Sequence, residues 1–276
     1  MITKAAMVSV ATLFASFSLQ AQTPQETSIN INGENVSGLN VQYTMPVQNL
    51  KEALSKKLET YKSGKVSSNK SGVNCSGLVI PDISPKQMDY YFQTQGDDKQ
   101  SSITFVASRG YNNYLTNSAD AELIQRCGTW LQAFKKDADI FQTNADIKTQ
   151  EKVLEKATKT WNKSLDDEKK IQKNIDKTKG EIESKKTQAA AALDKLNSLN
   201  KVSATAGDEN EKTLKKVTKD YASLNDDIKS LQGKQSGYEG EMTKQQGQTS
   251  AAKTQMDTET EKLNQLKTQL NSLGSK

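Results

Sequence analysis

Hydrophobic residues follow two different spacings, and the change between them divides the chain of 276 residues in two. Over residues 22–139, apolar and polar residues mostly alternate, as they do in half-buried β-strands. Over residues 140–276, apolar residues recur every three or four positions, which is typical of coiled-coil helices. We therefore predict an α+β fold in which a small sheet domain (22–139) precedes a long helical coiled coil (140–276).

The first half predicts the element order ββαβββα. Residues 29–33 form a strand that enters an Asn-Gly turn, and residues 36–45 return as the second strand. Pro46 opens a helix that ends before Gly64. Residues 64–74 are rich in Gly, Ser, Lys and Asn, so we expect them to form a loop.

The rest of this domain adds three strands and a helix. Residues 78–80 form a short strand that Pro81 ends, and residues 88–94 and 103–107 alternate as a hairpin. Ser118 then caps an amphipathic helix. We expect both helices of the domain to pack on one face of an antiparallel sheet.

The second half contains two stretches of heptads joined by a short polar segment. The arms are predicted over about 140–200 and 209–273, with a turn at 201–208. In the second arm, 14 of the 18 seam positions between residues 214 and 273 are apolar. With about 60 residues in each arm, the rise of 1.5 Å per residue predicts a rod on the order of 90 Å long.

The polar seam residues favour an antiparallel hairpin over a self-dimer. If the numbers of facing residues sum to 413, Glu168 faces Gln245. A parallel self-dimer would place Glu168 and Lys185 against their own copies, which buries like charges without partners. In the hairpin Lys185 and Glu259 still misfit, so we expect their long side chains to reach out of the seam. Self-association through the rod is the alternative.

The N-terminus has the layout of an export signal. Lys4 precedes an uncharged apolar stretch over residues 5–17, and Ala21 is the small residue expected at the cleavage point. The apolar stretch is too short to span a bilayer. We expect a signal peptide (1–21) cleaved after Ala21, a periplasmic protein, and no transmembrane segment in the mature chain.

The two cysteines, Cys75 and Cys127, both lie in the predicted sheet domain. An even number of cysteines in an exported protein is typical of a disulfide, here Cys75–Cys127. The alternative is two buried thiols that pack as small apolar residues.

Candidate chemistry is scarce. The sequence has no histidine, which excludes Ser-His-Asp and Cys-His catalysis and His-ligated zinc. Ser67 and Lys70 have the spacing of a Ser-x-x-Lys motif, but they lie in the predicted loop and not at a helix start. We therefore predict no catalytic, cofactor-binding or metal-binding residues, and a protein that is not an enzyme.

The net charge of +5 does not indicate nucleic-acid binding. Lys4 leaves with the signal, residues 22–139 hold 12 basic and 12 acidic groups, and residues 140–276 hold 25 and 21. Arginine, the preferred reader of phosphates and guanines, occurs only at Arg109 and Arg126. The lysines alternate with acids along the predicted helices, as on a solvated surface.

One loop is a candidate contact surface. Arg109, Tyr111 and Tyr114 flank a glycine and two asparagines after a predicted strand, and tyrosine beside asparagine suits protein or glycan contacts. The alternative is that both tyrosine rings cover the end of the sheet.

The export signal ending at Ala21, the Asn-Gly hairpin, the sheet domain with Cys75 and Cys127, and the helical hairpin together resemble exported proteins of Bacteroidota. This resemblance implies that the protein is exported. It does not point to any particular activity. The hairpin alone is similar to those of Skp/OmpH-type periplasmic holdase chaperones, where it is inserted into the body, and of coiled-coil activators of cell-wall hydrolases.

The expected function is a non-enzymatic envelope protein whose hairpin spaces or docks protein partners. A holdase chaperone and a regulator of a cell-wall enzyme are the alternatives.

Overall fold

The computed structural model describes residues 23–31, 33–202 and 208–274. The predicted signal peptide (1–21) and most of the predicted turn (201–208) lie outside these ranges. The described residues have an α+β fold, with an antiparallel sheet followed by two long helices that pack as a hairpin. The described residues form two compact units, the first comprising those up to residue 145 together with residues 270–274, and the second lying within Asp146–Gln269.

The sheet has six strands in the order β1-β2-β6-β5-β4-β3. All neighbouring strands are antiparallel, and they are β1 (Gln25–Ile31), β2 (Glu34–Tyr43), β3 (Lys65–Asn69), β4 (Gly72–Leu78), β5 (Met88–Gly96) and β6 (Ser101–Ser108). Three helices accompany them: α1 (Val47–Glu59), α2 (Asn117–Val202) and α3 (Asp208–Gly274).

The observed order ββαββββα has one strand more than predicted, and the strand predicted over residues 78–80 is misplaced, because β4 ends at Leu78. Residues 64–74, which we expected to form a loop, contain β3 and the start of β4. β3 is an edge strand with mostly exposed side chains, so it needs no apolar alternation to form. Asn69 closes the turn, because its side-chain oxygen accepts the backbone N–H groups of Ser71 and Gly72 at 2.8 and 3.0 Å.

The core of the first unit lies on one face of the sheet. Phe92 and Phe105 from the sheet meet Trp130 and Phe134 from α2, with Trp130 and Phe134 stacked at 5.6 Å between ring centroids. Helix α1 adds three fully buried leucines to the same cluster: Leu50, Leu54 and Leu58. Both helices therefore cover the same face, as the amphipathic patterns predicted.

The predicted disulfide is absent, because Cys75 and Cys127 are both buried free thiols. Cys75 enters the core from β4 and Cys127 enters it from α2. Burial raises the pKa of each thiol to about 12. An even count carries no information about whether two sulfurs meet in the fold, and here each one packs as a small apolar side chain.

The heptad prediction for the long helices is confirmed by burial. All eighteen seam positions of α3 between Leu214 and Leu273 are buried or half-buried, whereas almost every residue between them is exposed. Along α2 the buried seam residues follow the predicted line, including Ile147, Ile175 and Ile182. The apolar stripe of each helix is thus partly shielded from solvent within the hairpin.

Contacts between the two arms agree with the predicted register to within about one helical turn. The Gln245 side-chain amide donates to the Ser164 carbonyl oxygen at 3.2 Å, one turn from Glu168. Lys185 reaches out of the seam, as expected, and pairs with Asp227 at 2.8 Å. Gln150 donates to a Glu259 carboxylate oxygen at 2.7 Å. Lys185 therefore behaves as expected, but the expectation for Glu259 is wrong, because its side chain is only 12% exposed and stays in the seam, where Gln150 pairs with it.

The state of the cysteines is directly testable by thiol labelling without reductant. We expect the native protein to resist iodoacetamide at about pH 8, because burial and a raised pKa leave almost no accessible thiolate. After unfolding in guanidinium chloride, mass spectrometry should find both Cys75 and Cys127 alkylated. A protein that stays unlabelled when unfolded, and is labelled only after reduction, would contain the disulfide instead.

Candidate functional site

The outer face of the sheet, opposite the helices, is the strongest candidate for a binding surface in the first unit. Side chains alternate between the two faces along β2. Leu39, Val41 and Tyr43 therefore point into the core, and Asn40 and Gln42 point outward. Polar side chains continue across this face on the neighbouring strands, and Asn40 donates to the Thr104 hydroxyl at 2.9 Å. A sheet with one face in the core commonly exposes such a polar face.

A groove of about 240 Å³ lies on this outer face. One wall is the end of β1 at Ile29–Ile31, and the other is the β3–β4 turn with Asn69 and Ser71. The floor is formed by β4 and β5, including Asn74, Tyr91 and Gln93. Because β1 and β4 are separated in the sheet by three other strands, the end of the β1–β2 hairpin must bend over the outer face to reach this position.

Glycine is required at one point of the groove floor. A Cβ atom on Gly72 would lie 1.8 Å from the Phe92 carbonyl oxygen, so β4 approaches β5 here only because residue 72 has no side chain. Both walls are anchored by asparagine oxygens. Asn69 accepts the turn N–H groups described above, and the Asn30 side chain accepts the Gly33 N–H at 3.1 Å. The NH₂ group of Asn69 remains as a donor at the edge of the groove, whereas that of Asn30 donates to the Asn35 side-chain oxygen at 3.4 Å.

The floor presents two amides that the fold does not use. Among the described residues, no hydrogen bond is made by the side-chain amides of Asn74 and Gln93, which are half-buried. None of the ten described residues that line the groove carries a charge. The groove therefore offers unpaired neutral donors and acceptors next to apolar carbon.

An aromatic pair continues the surface from the groove floor to the predicted contact loop. The Tyr91 and Tyr114 rings lie 6.1 Å apart at a tilt of 56°. Burial, and then the neighbouring Tyr114 and Asp89, raise the pKa of Tyr91. The Tyr91 phenol therefore stays neutral at physiological pH and acts as a hydrogen-bonding group.

The contact loop is held to the start of α2 by a buried carboxylate. Asp120 pairs with the Arg109 guanidinium and accepts the Thr116 backbone N–H at 3.0 Å. These two groups, Arg109 first, hold the pKa of Asp120 below its usual value. Asp120 itself has non-helical backbone angles, so regular helix begins after it and not at the predicted cap, Ser118.

Tyr111 is presented to solvent at the tip of this loop. Residues 110–113 form a tight turn in which the Asn113 N–H donates to the Gly110 carbonyl oxygen at 3.0 Å. Both central residues have positive φ, 52° at Tyr111 and 61° at Asn112. Such angles are uncommon for tyrosine, whose side chain is fully exposed here. The fold thus tolerates a strained backbone beneath an exposed aromatic ring.

The structure separates the three residues predicted for partner contact. Tyr111 is exposed, Tyr114 lies over Tyr91, and Arg109 is engaged by Asp120. The sequence did not predict the groove. Residues 64–74 were expected to form a loop, so Asn69 and Asn74 could not be assigned to a face of the sheet. Tyr91 had a detectable signal, since it is the outward residue in the alternation of residues 88–94.

The described residues contain no cluster of three Cys, Asp or Glu side chains arranged to hold a metal ion. The Ser67 hydroxyl donates to the Asn74 carbonyl oxygen at 3.2 Å. No helix in the described ranges is both long and apolar enough to cross a membrane.

Comparison with protein-family models and with curated proteins gives no match to this chain.

Replacing Asp120 by Asn tests the anchor of the loop. The neutral amide cannot form the ion pair with Arg109, so we expect a lower melting temperature at about pH 7. The folded-state pKa lies below the ordinary 3.8, so this stabilisation is present above pH 3.8 and is lost as the pH falls through the folded value. The difference between wild type and D120N should therefore shrink at about pH 2, measured by circular dichroism.

Glu122→Gln is the matched control, because Glu122 forms an exposed i,i+4 pair with Arg126. Its effect should be small at either pH, since exposed pairs contribute little. An equal loss in both variants, or a D120N effect independent of pH, would contradict the assigned role of Asp120.

Replacing Tyr111 by Asn tests the backbone strain. Asn adopts positive φ more readily than Tyr, and the exposed ring has no packing to lose. We expect the free energy of unfolding in urea to rise by about 0.5–1 kcal/mol. Tyr111→Ala removes the ring but keeps a Cβ in the same backbone conformation, so it should leave stability nearly unchanged. Equal stability of the two variants would refute the strain.

Proposed function

We propose that this protein is a non-enzymatic exported envelope protein, in which the coiled-coil hairpin spaces or docks protein partners and the α+β domain makes a second contact. Export and a periplasmic location rest on the signal pattern of Lys4, residues 5–17 and Ala21, which lies outside the described residues. The layout shared with exported Bacteroidota proteins supports the same compartment.

The observation that carries the proposal is the packing of the two arms along one seam. Three of the eighteen α3 seam positions between Leu214 and Leu273 are buried and the other fifteen are half-buried, so the hairpin covers much of its apolar stripe within one chain. At 1.5 Å per residue, an arm of about 60 residues holds its two ends roughly 90 Å apart. A self-contained helical pair of this length suits separation of two binding partners or presentation of a long lateral surface.

The outward faces of the hairpin suit reversible docking. Their charges pair mostly along the same helix, as Lys159 does with Glu155 at 2.6 Å and Lys253 with Asp257 at 2.7 Å. Exposed pairs of this kind contribute only about 0–1 kcal/mol each, so a partner can exchange them for its own at little cost. In the lysine-rich stretch over residues 169–179, three of the five lysines pair with acids of the same helix.

The exposed surface favours a spacer or docking module over a holdase. Holding an unfolded chain requires a contiguous apolar patch. Among the described residues, the large hydrophobic side chains that are exposed are Tyr111, Val153 and Leu193, which are far apart in sequence. Regulation of a cell-wall enzyme is one specific form of docking and is covered by the same experiment.

Photo-crosslinking in the source organism tests the hairpin contact. Gly180 and Gly240 are suitable positions for a photoreactive amino acid, because nothing lies within 4 Å of a Cβ atom at either site. We expect both positions to crosslink an envelope protein. Thr178 is the matched control, since it is buried in the seam and should crosslink only to α3 of the same chain. The recovered protein should begin at Gln22.

Each alternative gives a different crosslinking pattern. Products with many unfolded outer-membrane proteins would indicate a holdase, and products with a second copy would indicate self-association. Absence of intermolecular products at Gly180 and Gly240, together with products at Tyr111, would show that the hairpin is not the docking element.

A further inference from the structure

We propose that the groove on the outer face of the sheet is a binding site for a short, uncharged oligosaccharide. The site comprises the side-chain amides of Asn69, Asn74 and Gln93, with Ile29, Ile31 and Tyr91 as its apolar parts. This inference goes beyond the proposed spacing or docking function and does not depend on it, because the groove lies entirely within the first unit.

The polar groups of the groove match sugar hydroxyls. Each hydroxyl both donates and accepts a hydrogen bond, and each Asn or Gln amide presents a donor next to an acceptor. Asn74 and Gln93 have both functions unused among the described residues, and they flank Tyr91 on the floor. The amide atoms of Asn74 and Gln93 are accessible to solvent, so a hydroxylated ligand would exchange their hydrogen bonds with water for direct ones.

The absence of charge selects among ligand classes. A phosphate or carboxylate ligand is normally met by Arg, Lys or a helix N-terminus, and the ten described lining residues supply none of these. An extended peptide typically adds to a free strand edge. The floor strands β4 and β5 are already paired on both sides, so they offer side chains and no free backbone edge.

The apolar parts fit the other side of a sugar ring. Pyranose rings have C–H surfaces between their hydroxyls, and the Ile29, Ile31 and Tyr91 side chains give carbon for them to contact. The volume of about 240 Å³ is smaller than that of sites for drug-sized ligands, roughly 300–1,000 Å³. The groove therefore accommodates one or two sugar units of a longer chain.

The test is titration of the full mature protein with defined probes. The neutral probes are the tetrasaccharides of β-1,4-linked N-acetylglucosamine, β-1,4-linked glucose and α-1,4-linked glucose. The comparison probes are a tetragalacturonate anion and an unstructured polar peptide. We expect at least one neutral tetrasaccharide to bind, with NMR shifts in the side-chain amides of Asn74 and Gln93, and weaker or no binding of the comparison probes.

Variants then locate the site. Asn74→Ala and Gln93→Ala should each weaken binding by about fivefold to tenfold, since each removes one or two hydrogen bonds. Gln95→Ala is the matched control, because Gln95 lies on the same strand and face outside the groove, and it should bind as wild type does. Resistance of the buried Cys75 thiol to alkylation verifies that each variant is folded.

Three results would overturn the proposal. The first is no binding of any neutral tetrasaccharide at millimolar concentration, and the second is preferential binding of the anion or the peptide. The third is an equal loss in the Gln95→Ala control, which would place binding elsewhere on the protein.

Discussion

The first unit depends on an aromatic cluster that occupies one side of a single sheet. Phe92 and Phe105 from the strands and Trp130 and Phe134 from α2 bury large rings against each other, and Trp130 also donates to the Tyr61 hydroxyl at 2.9 Å. Truncating one such ring typically costs 3–5 kcal/mol, a large part of the stability of a small domain. Because both helices are committed to this face, the opposite face carries mostly polar side chains, apart from the apolar residues Ile29, Val36 and Val106 near the β1–β2 hairpin.

That division explains why the candidate groove is where it is. Polar residues alternate with the aromatic ones on the same strands, so Tyr91 and Gln93 are directed outward by the packing of Tyr90 and Phe92 inward. The close approach at Gly72 and the asparagine-anchored ends of two hairpins shape the concavity. The groove is thus built by backbone turns around a rigid floor, which is the arrangement that pre-organises a binding site.

The long helices follow a different rule. Their stability depends on a narrow apolar seam. Two of the charged residues that fall in this seam are paired with polar partners, Lys185 with Asp227 and Glu259 with Gln150. Glycines such as Gly180 and Gly240 occur on outward positions, where they lower helix propensity without removing packing. An apolar seam that is largely covered within one chain leaves charged outward faces, and these faces support the proposed docking role.

The sequence by itself determined the fold class, the heptad seam and the face on which the helices pack, because each depends on a local periodicity that burial must satisfy. It also predicted that Lys185 would leave the seam. Only the tertiary structure decided that residues 64–74 pair as strands, that Cys75 and Cys127 remain free thiols, and that Asn30, Asn69, Asn74 and Gln93 surround one groove. These features arise from contacts between residues distant in the chain, and no periodicity or residue count records the distances between them.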